Sequence, residues 1–222
     1  MDRLPASHVL IAGLGGVGCM AAEALVRAGV GRFTLVDMEC YEITNMNRQL
    51  FATTDTLGRP KVEVAAERMH RINPACAIYC VADRITPDNI VDLLNPAPDL
   101  IIDAIDTLTA KLALVEYCVQ EDIPIISCLG TGNRSDPTCV TTGDIAETAG
   151  CGCPLARRMR SELRGRNIDK LRVVYSTEAP IKAVVSDSPR GRHNPGSTPM
   201  VPGAAGLALA YCAAKRLMGD MQ

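Results

Sequence analysis

At 222 residues, with hydrophobic residues at 47% and charged residues at 22%, the chain fits a soluble globular protein of one domain that can bury a full core. The net charge of −2 is bland, but it hides seven basic residues against two acids between Arg157 and Arg172, a local balance of +5. The longest apolar stretch, Met200 to Cys212, is too short for a bilayer and is broken by Pro202, Gly203 and Gly206, which excludes a membrane span.

The ten cysteines are irregularly spaced with no CxxC, and the N-terminus lacks a signal-peptide pattern. Reduced thiols and a cytoplasmic location are therefore expected.

His8 to Ala12 is a short apolar run of the kind that fills a buried parallel strand. Gly13-Leu14-Gly15-Gly16-Val17-Gly18 follows, a GxGxxG where a strand hands over to a helix, with room for a phosphate at the helix N-terminus. The helix pattern stops at Gly29, a good C-terminal cap. A second strand, Arg32 to Val36, ends in Asp37, nineteen residues beyond Gly18, where a Rossmann-type unit places the acid that holds a ribose.

The segment Thr44 to Gln49 is dense in hydrogen-bonding groups, with Asn45, Asn47 and Gln49 around one cation, Arg48. By composition it is a polar surface loop, but it lies just past the carboxyl end of the second strand, where doubly wound folds bind ligands. Next, Pro60 suits the first turn of a helix running to Ile72, which sets Lys61 near the positive end of the helix dipole. Either Lys61 is solvated at a small penalty or a bound phosphate removes the conflict.

A third strand spans Ala77 to Val81, and Thr86 opens a short helix through Leu94. Leu100 to Ile102 delivers Asp103 and Asp106 to a strand end; Asp106 is either the N-cap of a helix from Thr109 to Glu121 or a magnesium or phosphate-site carboxylate. Pro124 to Leu129 reads as the fifth strand. From Asp136 the βαβ spacing stops. A strand at Thr138 to Thr142, a helix from Pro154 to Arg164, a strand at Leu171 to Ser176 and a helix from Gly203 to Leu217 remain, with a mobile loop at 186–198. The fold expected is α/β: a Rossmann-like, doubly wound, mostly parallel sheet continued by antiparallel strands and flanking helices. It forms one domain over 1–222, with a nucleotide-binding half at 8–135 and a substrate-side half at 136–222.

Asp37, Asn45-x-Asn47-Arg48-Gln49, Gly58-x-Pro60-Lys61, Ile72-Asn73-Pro74 and Asp103-x-x-Asp106 occur in that order behind the glycine loop. This set resembles the adenylating domain of ubiquitin-activating-type enzymes, the ThiF and MoeB superfamily. The run Cys153-Pro154-Leu155-Ala156-Arg157-x-Met159-Arg160, with Tyr175-Ser176-Thr177-Glu178 and Val201-Pro202-Gly203-x-x-Gly206, is similar to the tRNA threonylcarbamoyladenosine dehydratases.

The resemblance implies ATP-dependent adenylation of the threonyl carboxylate of the modified adenosine in tRNA, then ring closure with loss of AMP, in a homodimer with a sulfur-relay protein as a further partner. It assigns Asp37 to the ribose, Arg48 and Lys61 to phosphate charge, Asp106 to magnesium, and Asn45, Asn47 and Gln49 with Gly13, Gly15, Gly16 and Gly18 to the nucleotide pocket. A monovalent cation beside the ATP is allowed. Zinc is not expected, since the paired CxxC motifs of the sulfur-carrier activators are missing. The family's arginine on a leading helix has no counterpart, because Arg3 lies too near the first strand. Val173 and Val174 stand where some relatives place a cysteine.

Three other readings compete. An adenylyltransferase for a ubiquitin-like sulfur carrier would share the whole ATP site. An NAD-dependent oxidoreductase would explain the glycine loop and Asp37 alone. A non-catalytic sulfur-relay partner would keep the fold without turnover.

The basic segment favours an RNA substrate. On a helix at 100° per residue, Arg157, Arg160 and Arg164 fall within about 60° of one another, beside an apolar stripe of Leu155, Met159 and Leu163. Such a face is either solvated or grips tRNA, and Glu162 is the only acid available to lace it. Arg158, and Arg190 and Arg192 in the loop, extend the expected footprint.

Overall fold

The computed structural model describes residues 3–181, Gly196 and residues 198–219. Seven strands, β1 (His8–Ala12), β2 (Arg32–Val36), β3 (Ala77–Val81), β4 (Leu100–Asp103), β5 (Ile125–Cys128), β6 (Val140–Asp144) and β7 (Arg172–Ser176), form one sheet in the order β3-β2-β1-β4-β5-β7-β6. All neighbours are parallel except β6 and β7, which pair antiparallel from Val140 opposite Ser176 to Asp144 opposite Arg172. This bears out the fold expected from the sequence. The chain order reverses between β1 and β4, and that switch point opens the crevice where such sheets take ligands.

Strand β1 is buried along its whole length, as its unbroken apolar sequence requires of a strand covered on both faces. Val9 and Ile11 join Phe33 and Leu35 in a core shared with α1 (Gly18–Ala28), α2 (Lys61–Ile72) and α6 (Met200–Met218). Leu10 and Ala12 face the other way, toward α3 (Ile90–Leu93) and α4 (Leu108–Gln120). A third cluster sets Ala156, Met159 and Leu163 of α5 (Pro154–Gly165) against Val173 of β7 and Val115 of α4.

The small residues of α6 have a definite partner. A Cβ added at Gly206 would stand 2.4 Å from the Val17 carbonyl oxygen and 2.7 Å from the Met20 Cβ, so α6 crosses the first turn of α1 almost backbone to backbone.

The structure moves several element starts; α6 begins at Met200, three residues before the expected Gly203. The helix expected from Thr86 is confined to Ile90–Leu93, because the Asn89 side chain accepts from the Thr86 amide and donates to the Arg84 carbonyl, closing a turn instead. Strand β6 begins at Val140, two residues late, because Asp136 accepts from the Thr138 amide and hydroxyl and winds Pro137–Cys139 into a 3-10 turn. Most of the loop 186–198, with Arg190 and Arg192, lies outside the described residues.

Candidate active site

Strand ends β1, β2 and β4 carry the glycine loop, Asp37 and Asp106 to one edge of the sheet. The glycines make their approach possible. Gly13 has φ +89°, and a Cβ there would meet the Ala104 carbonyl oxygen at 2.8 Å; at Gly18 it would lie 1.8 Å from the Gly13 carbonyl oxygen. Gly16 faces the Arg48 carbonyl oxygen at 3.0 Å and Pro202 at 3.1 Å, while nothing lies within 4 Å of the corresponding point at Gly15. The loop is thus walled by residues 104–105, by the turn at Arg48 and by the start of α6, and it is open at Gly15.

Asp37 is half-buried and organises this edge. Its Oδ2 accepts from the Leu14 amide at 2.7 Å and its Oδ1 from the Glu39 amide at 2.9 Å, which ties the glycine loop to the segment after β2. Each carboxylate oxygen retains acceptor capacity for a ligand hydroxyl.

In the 43–49 turn, the polar side chains have different surroundings. Asn45 is buried and structural: its Oδ1 accepts from the Glu42 amide, and its carbonyl accepts from the Arg48 and Gln49 amides. The Arg48 Nη1 donates to the Thr44 carbonyl and to the Asn47 Oδ1, both at 2.9 Å, which holds the guanidinium in place. Gln49 is 6% exposed, and its Oε1 is buried without a hydrogen-bond partner among the described residues. An orphaned buried amide oxygen costs about 1–3 kcal/mol, so Gln49 is the residue of this turn that most needs a ligand.

For Lys61 the structure removes the first of the two sequence-based alternatives. It is not solvated: the residue is 1% exposed, and its ammonium donates to Glu39 Oε2 at 2.5 Å, with the Tyr41 ring centroid 5.8 Å away. Glu39 therefore offsets the helix-dipole conflict at the start of α2. Sequence reasoning missed it because the contact depends on the Cys40–Pro60 bridge, which brings segments 22 residues apart side by side.

Asp106 is exposed, and it accepts a hydrogen bond from the Thr107 hydroxyl at 3.2 Å. It is not the cap of α4, since Thr107 is the N-cap residue and makes no side-chain capping bond. Behind it, the Asp103 carboxylate is fully buried and takes Lys111 Nζ and Ser127 Oγ, both at 2.7 Å, on Oδ2. Its Oδ1 accepts from the Ile105 amide at 3.1 Å. Asp103 therefore shapes the turn that presents Asp106, a role its sequence position alone did not reveal.

Among the described residues, no three His, Cys, Asp or Glu side chains gather to hold a metal. A magnesium ion here would need phosphate oxygens and water besides Asp106, which is how that ion usually binds with nucleotides. Burial pushes the Cys19 thiol up to about 11 and the Cys128 thiol to about 12, so neither is a ready nucleophile. Cys153 instead caps α5, its sulfur accepting from the Ala156 amide.

The basic residues of α5 divide by environment. Arg157, Arg158 and Arg164 are exposed and enter no ion pair among the described residues. Arg166 is paired with Glu162 and Glu116. Arg160 lies on the flank of the buried Ala156–Met159–Leu163 face, and its Nη1 donates to the Thr148 carbonyl and hydroxyl. No helix among the described residues is long and apolar enough to cross a membrane.

The chain matches the model of the ThiF family over residues 1–220. It is 37% identical to the tRNA threonylcarbamoyladenosine dehydratase of Bacillus subtilis over 233 residues, spanning 100% of this chain and 91% of that one. It is 41% identical to the Escherichia coli enzyme of the same name over 181 residues, 78% of this chain and 67% of that one. A crystal structure of E. coli tRNA N6-threonylcarbamoyladenosine dehydratase in complex with ATP superposes with a TM-score of 0.89 at 35% identity, covering 99% of this chain and 88% of the other. These likenesses run over nearly the whole chain in both sequence and fold, and the chain belongs to the ThiF family.

Proposed function

We propose that the protein adenylates the threonyl carboxylate of threonylcarbamoyladenosine in tRNA with ATP and then closes the ring, releasing AMP and pyrophosphate. The observation that carries this reading is the convergence of an open glycine loop, Asp37, Arg48, the orphaned Gln49 amide and Asp106 on one sheet edge. The likeness to enzymes of that name extends over both halves of the chain.

A free carboxylate is a poor electrophile, because its charge repels nucleophiles and it lacks a leaving group. ATP supplies the leaving group. In this reading Asp37 accepts from the ribose hydroxyls, and the open backbone at Gly15 lets a phosphate approach the N-terminus of α1. Arg48, already oriented by Thr44 and Asn47, meets the charge that builds on departing pyrophosphate without reorganising. Lys61 keeps Glu39 on one of its three N–H groups and offers the others to phosphate. Asp106 holds magnesium jointly with the phosphates, and Gln49 gains the donor it lacks. Asn45 acts by fixing the turn, and ring closure within the modified base needs no cysteine.

The exposed arginines of α5 bind the tRNA backbone, and the protein works as a homodimer in the cytoplasm. The test is AMP and pyrophosphate release from ATP with tRNA carrying threonylcarbamoyladenosine, with unmodified tRNA, and with no RNA. Release only with the modified tRNA is expected. Equal release with a ubiquitin-like sulfur carrier alone would move the protein to that substrate, and reduction of NAD would overturn the adenylation reading.

A further inference from the structure

The exposed arginines of α5 do not form a uniform surface. The exposed Arg157 and the half-buried Arg160 line a cavity of about 270 Å³ together with Thr148, Gly150, Cys151 and Gly152, and among the described residues no acidic one is on its wall. None of the glycine-loop residues borders it, so it is separate from the nucleotide crevice.

The two guanidinium groups differ in freedom. Arg160 is pinned at the wall by Thr148, at 2.9 Å to the carbonyl and 2.6 Å to the hydroxyl, through Nη1 alone. Its other nitrogens have no partner in those bonds. Arg157 is exposed and enters no ion pair among the described residues. A third cation stands directly behind the cavity. Arg134 is 3% exposed, and it donates only to carbonyls: Gly130 at 2.6 Å, Glu178 at 2.9 Å and Cys151, a wall residue, at 3.2 Å. The nearby carboxylate of Glu178 is taken up by the Ser135 and Asp136 amides, and that of Glu147 by the Asp144 amide. Positive charge is thus concentrated around a concave site whose walls carry none of the opposite sign.

The size of the cavity selects the ligand. It falls just under the roughly 300 Å³ at which pockets for whole small molecules begin, yet it exceeds a bare ion. Gly150, at φ +85°, leaves its side of the rim open, with no described residue within 4 Å of an added Cβ, whereas at Gly152, at φ +70°, the Pro180 ring closes the rim at 2.9 Å from such a Cβ. We propose that this cavity seats one phosphodiester of the substrate RNA with its attached ribose, fixing the tRNA relative to the crevice. The inference rests on the tRNA reading above and deepens it: Arg157 and Arg160 form a register point, whereas Arg158 and Arg164 contribute only diffuse attraction.

The test maps phosphates individually. tRNA ethylated at random phosphates is bound to the unaltered protein, to Arg157→Gln, to Arg160→Lys and to Arg164→Gln, after melting curves establish that each is folded. One phosphate whose ethylation blocks binding to the unaltered protein should cease to matter in Arg157→Gln and should still matter in Arg164→Gln. The log–log salt slope of Arg157→Gln should fall by about one. Arg160→Lys, which keeps a charge but loses the fork, should weaken interference at that same phosphate. If every blocking position persists in Arg157→Gln while tRNA still binds, the cavity assignment is overturned and the tRNA reading stands. If tRNA does not bind the unaltered protein in a salt-dependent way, the tRNA reading falls and takes this inference with it.

A second arm follows modification of Arg157 by phenylglyoxal. tRNA should protect it at concentrations where the same amount of inorganic phosphate does not. Equal protection by inorganic phosphate would make this a free-anion site and overturn the RNA assignment.

Discussion

Replacing Gly206 with Ala tests how the glycine loop is held. The added Cβ would lie 2.4 Å from the Val17 carbonyl oxygen, 2.7 Å from the Met20 Cβ and 3.1 Å from the Ala21 amide nitrogen. Val17 and Ala21 are joined by a hydrogen bond of 3.0 Å in the first turn of α1, so the intruding methyl meets backbone that no rotamer change can clear. Overpacking costs about 1–3 kcal/mol, and the backbone contacts place this case near the top of that range. Alanine in a helix interior returns about 1 kcal/mol over glycine. The net loss is about 2 kcal/mol, or roughly 4–8 °C in melting temperature for a chain of this size.

Gly203→Ala in the same helix is the control, since its Cβ would find only the flexible end of Met20, at an ordinary 3.7 Å. It should be neutral or gain up to about 1 kcal/mol. Thermal and urea unfolding of both variants, followed by ATP titration, decides the matter. Because Val17 belongs to the glycine loop and is the N-cap residue of α1, Gly206→Ala should also weaken ATP binding. If Gly206→Ala melts at or above the parent temperature, the close-packing argument is wrong.

Three further outcomes are expected. Asp106→Ala should lower turnover at least about tenfold while stability stays within roughly 0.5 kcal/mol, as its carboxylate is exposed and does not cap α4; a large drop in melting temperature with turnover intact would contradict this. Lys111→Met strands the Asp103 carboxylate at 0% exposure and should cost about 3–5 kcal/mol in urea unfolding, much of it recovered in the Asp103→Asn, Lys111→Met double variant. Failure of the second substitution to recover stability would show that the ion pair is not the source of the loss.

The Glu23 carboxyl is held below its usual 4.5 by hydrogen bonds from Arg68 first and then Arg27, against an opposing contribution from burial. Its folded value is thus lower than its unfolded one, so its stabilisation is complete above pH 4.5 and is lost as pH falls through the folded value. Glu23→Gln should be less stable at neutral pH and should flatten the acid limb of the stability–pH curve. An unchanged acid limb would remove Glu23 from the network that joins α1 to α2.

Local chemistry accounts for what was legible beforehand. The βαβ unit from His8 to Asp37 was readable because strand, glycine turn, helix and acid follow one another within one supersecondary unit, and each is specified by its own residues. The same holds for the ends of α2 and α5, where Pro60 and Pro154 mark the entry. The family resemblance drawn from ordered motifs is borne out by the match across residues 1–220. Where side chains compete with the backbone, as at Asn89 and Asp136, the periodic pattern misplaced the element start by two to four residues.

What the sequence by itself determined is therefore the fold class and the roll of residues at the strand ends, since both follow from short-range periodicity and turn chemistry. Only the tertiary structure decided what those residues do to each other. Lys61 could be read as solvated until burial and the Glu39 carboxylate, brought against it across the Cys40–Pro60 bridge, removed that alternative. Asp103 reads as a strand end until Lys111 and Ser127 close over it from α4 and β5. Arg157, Arg160 and Arg164 read as one basic face beside an apolar stripe until packing gives each arginine of this segment its own surroundings. Arg166 then goes to Glu162 and Glu116, Arg160 to Thr148, and Arg157 is left over a cavity. Charge sums over a segment are independent of folding, whereas the partner of each charge depends on which distant segment the core packs beside it.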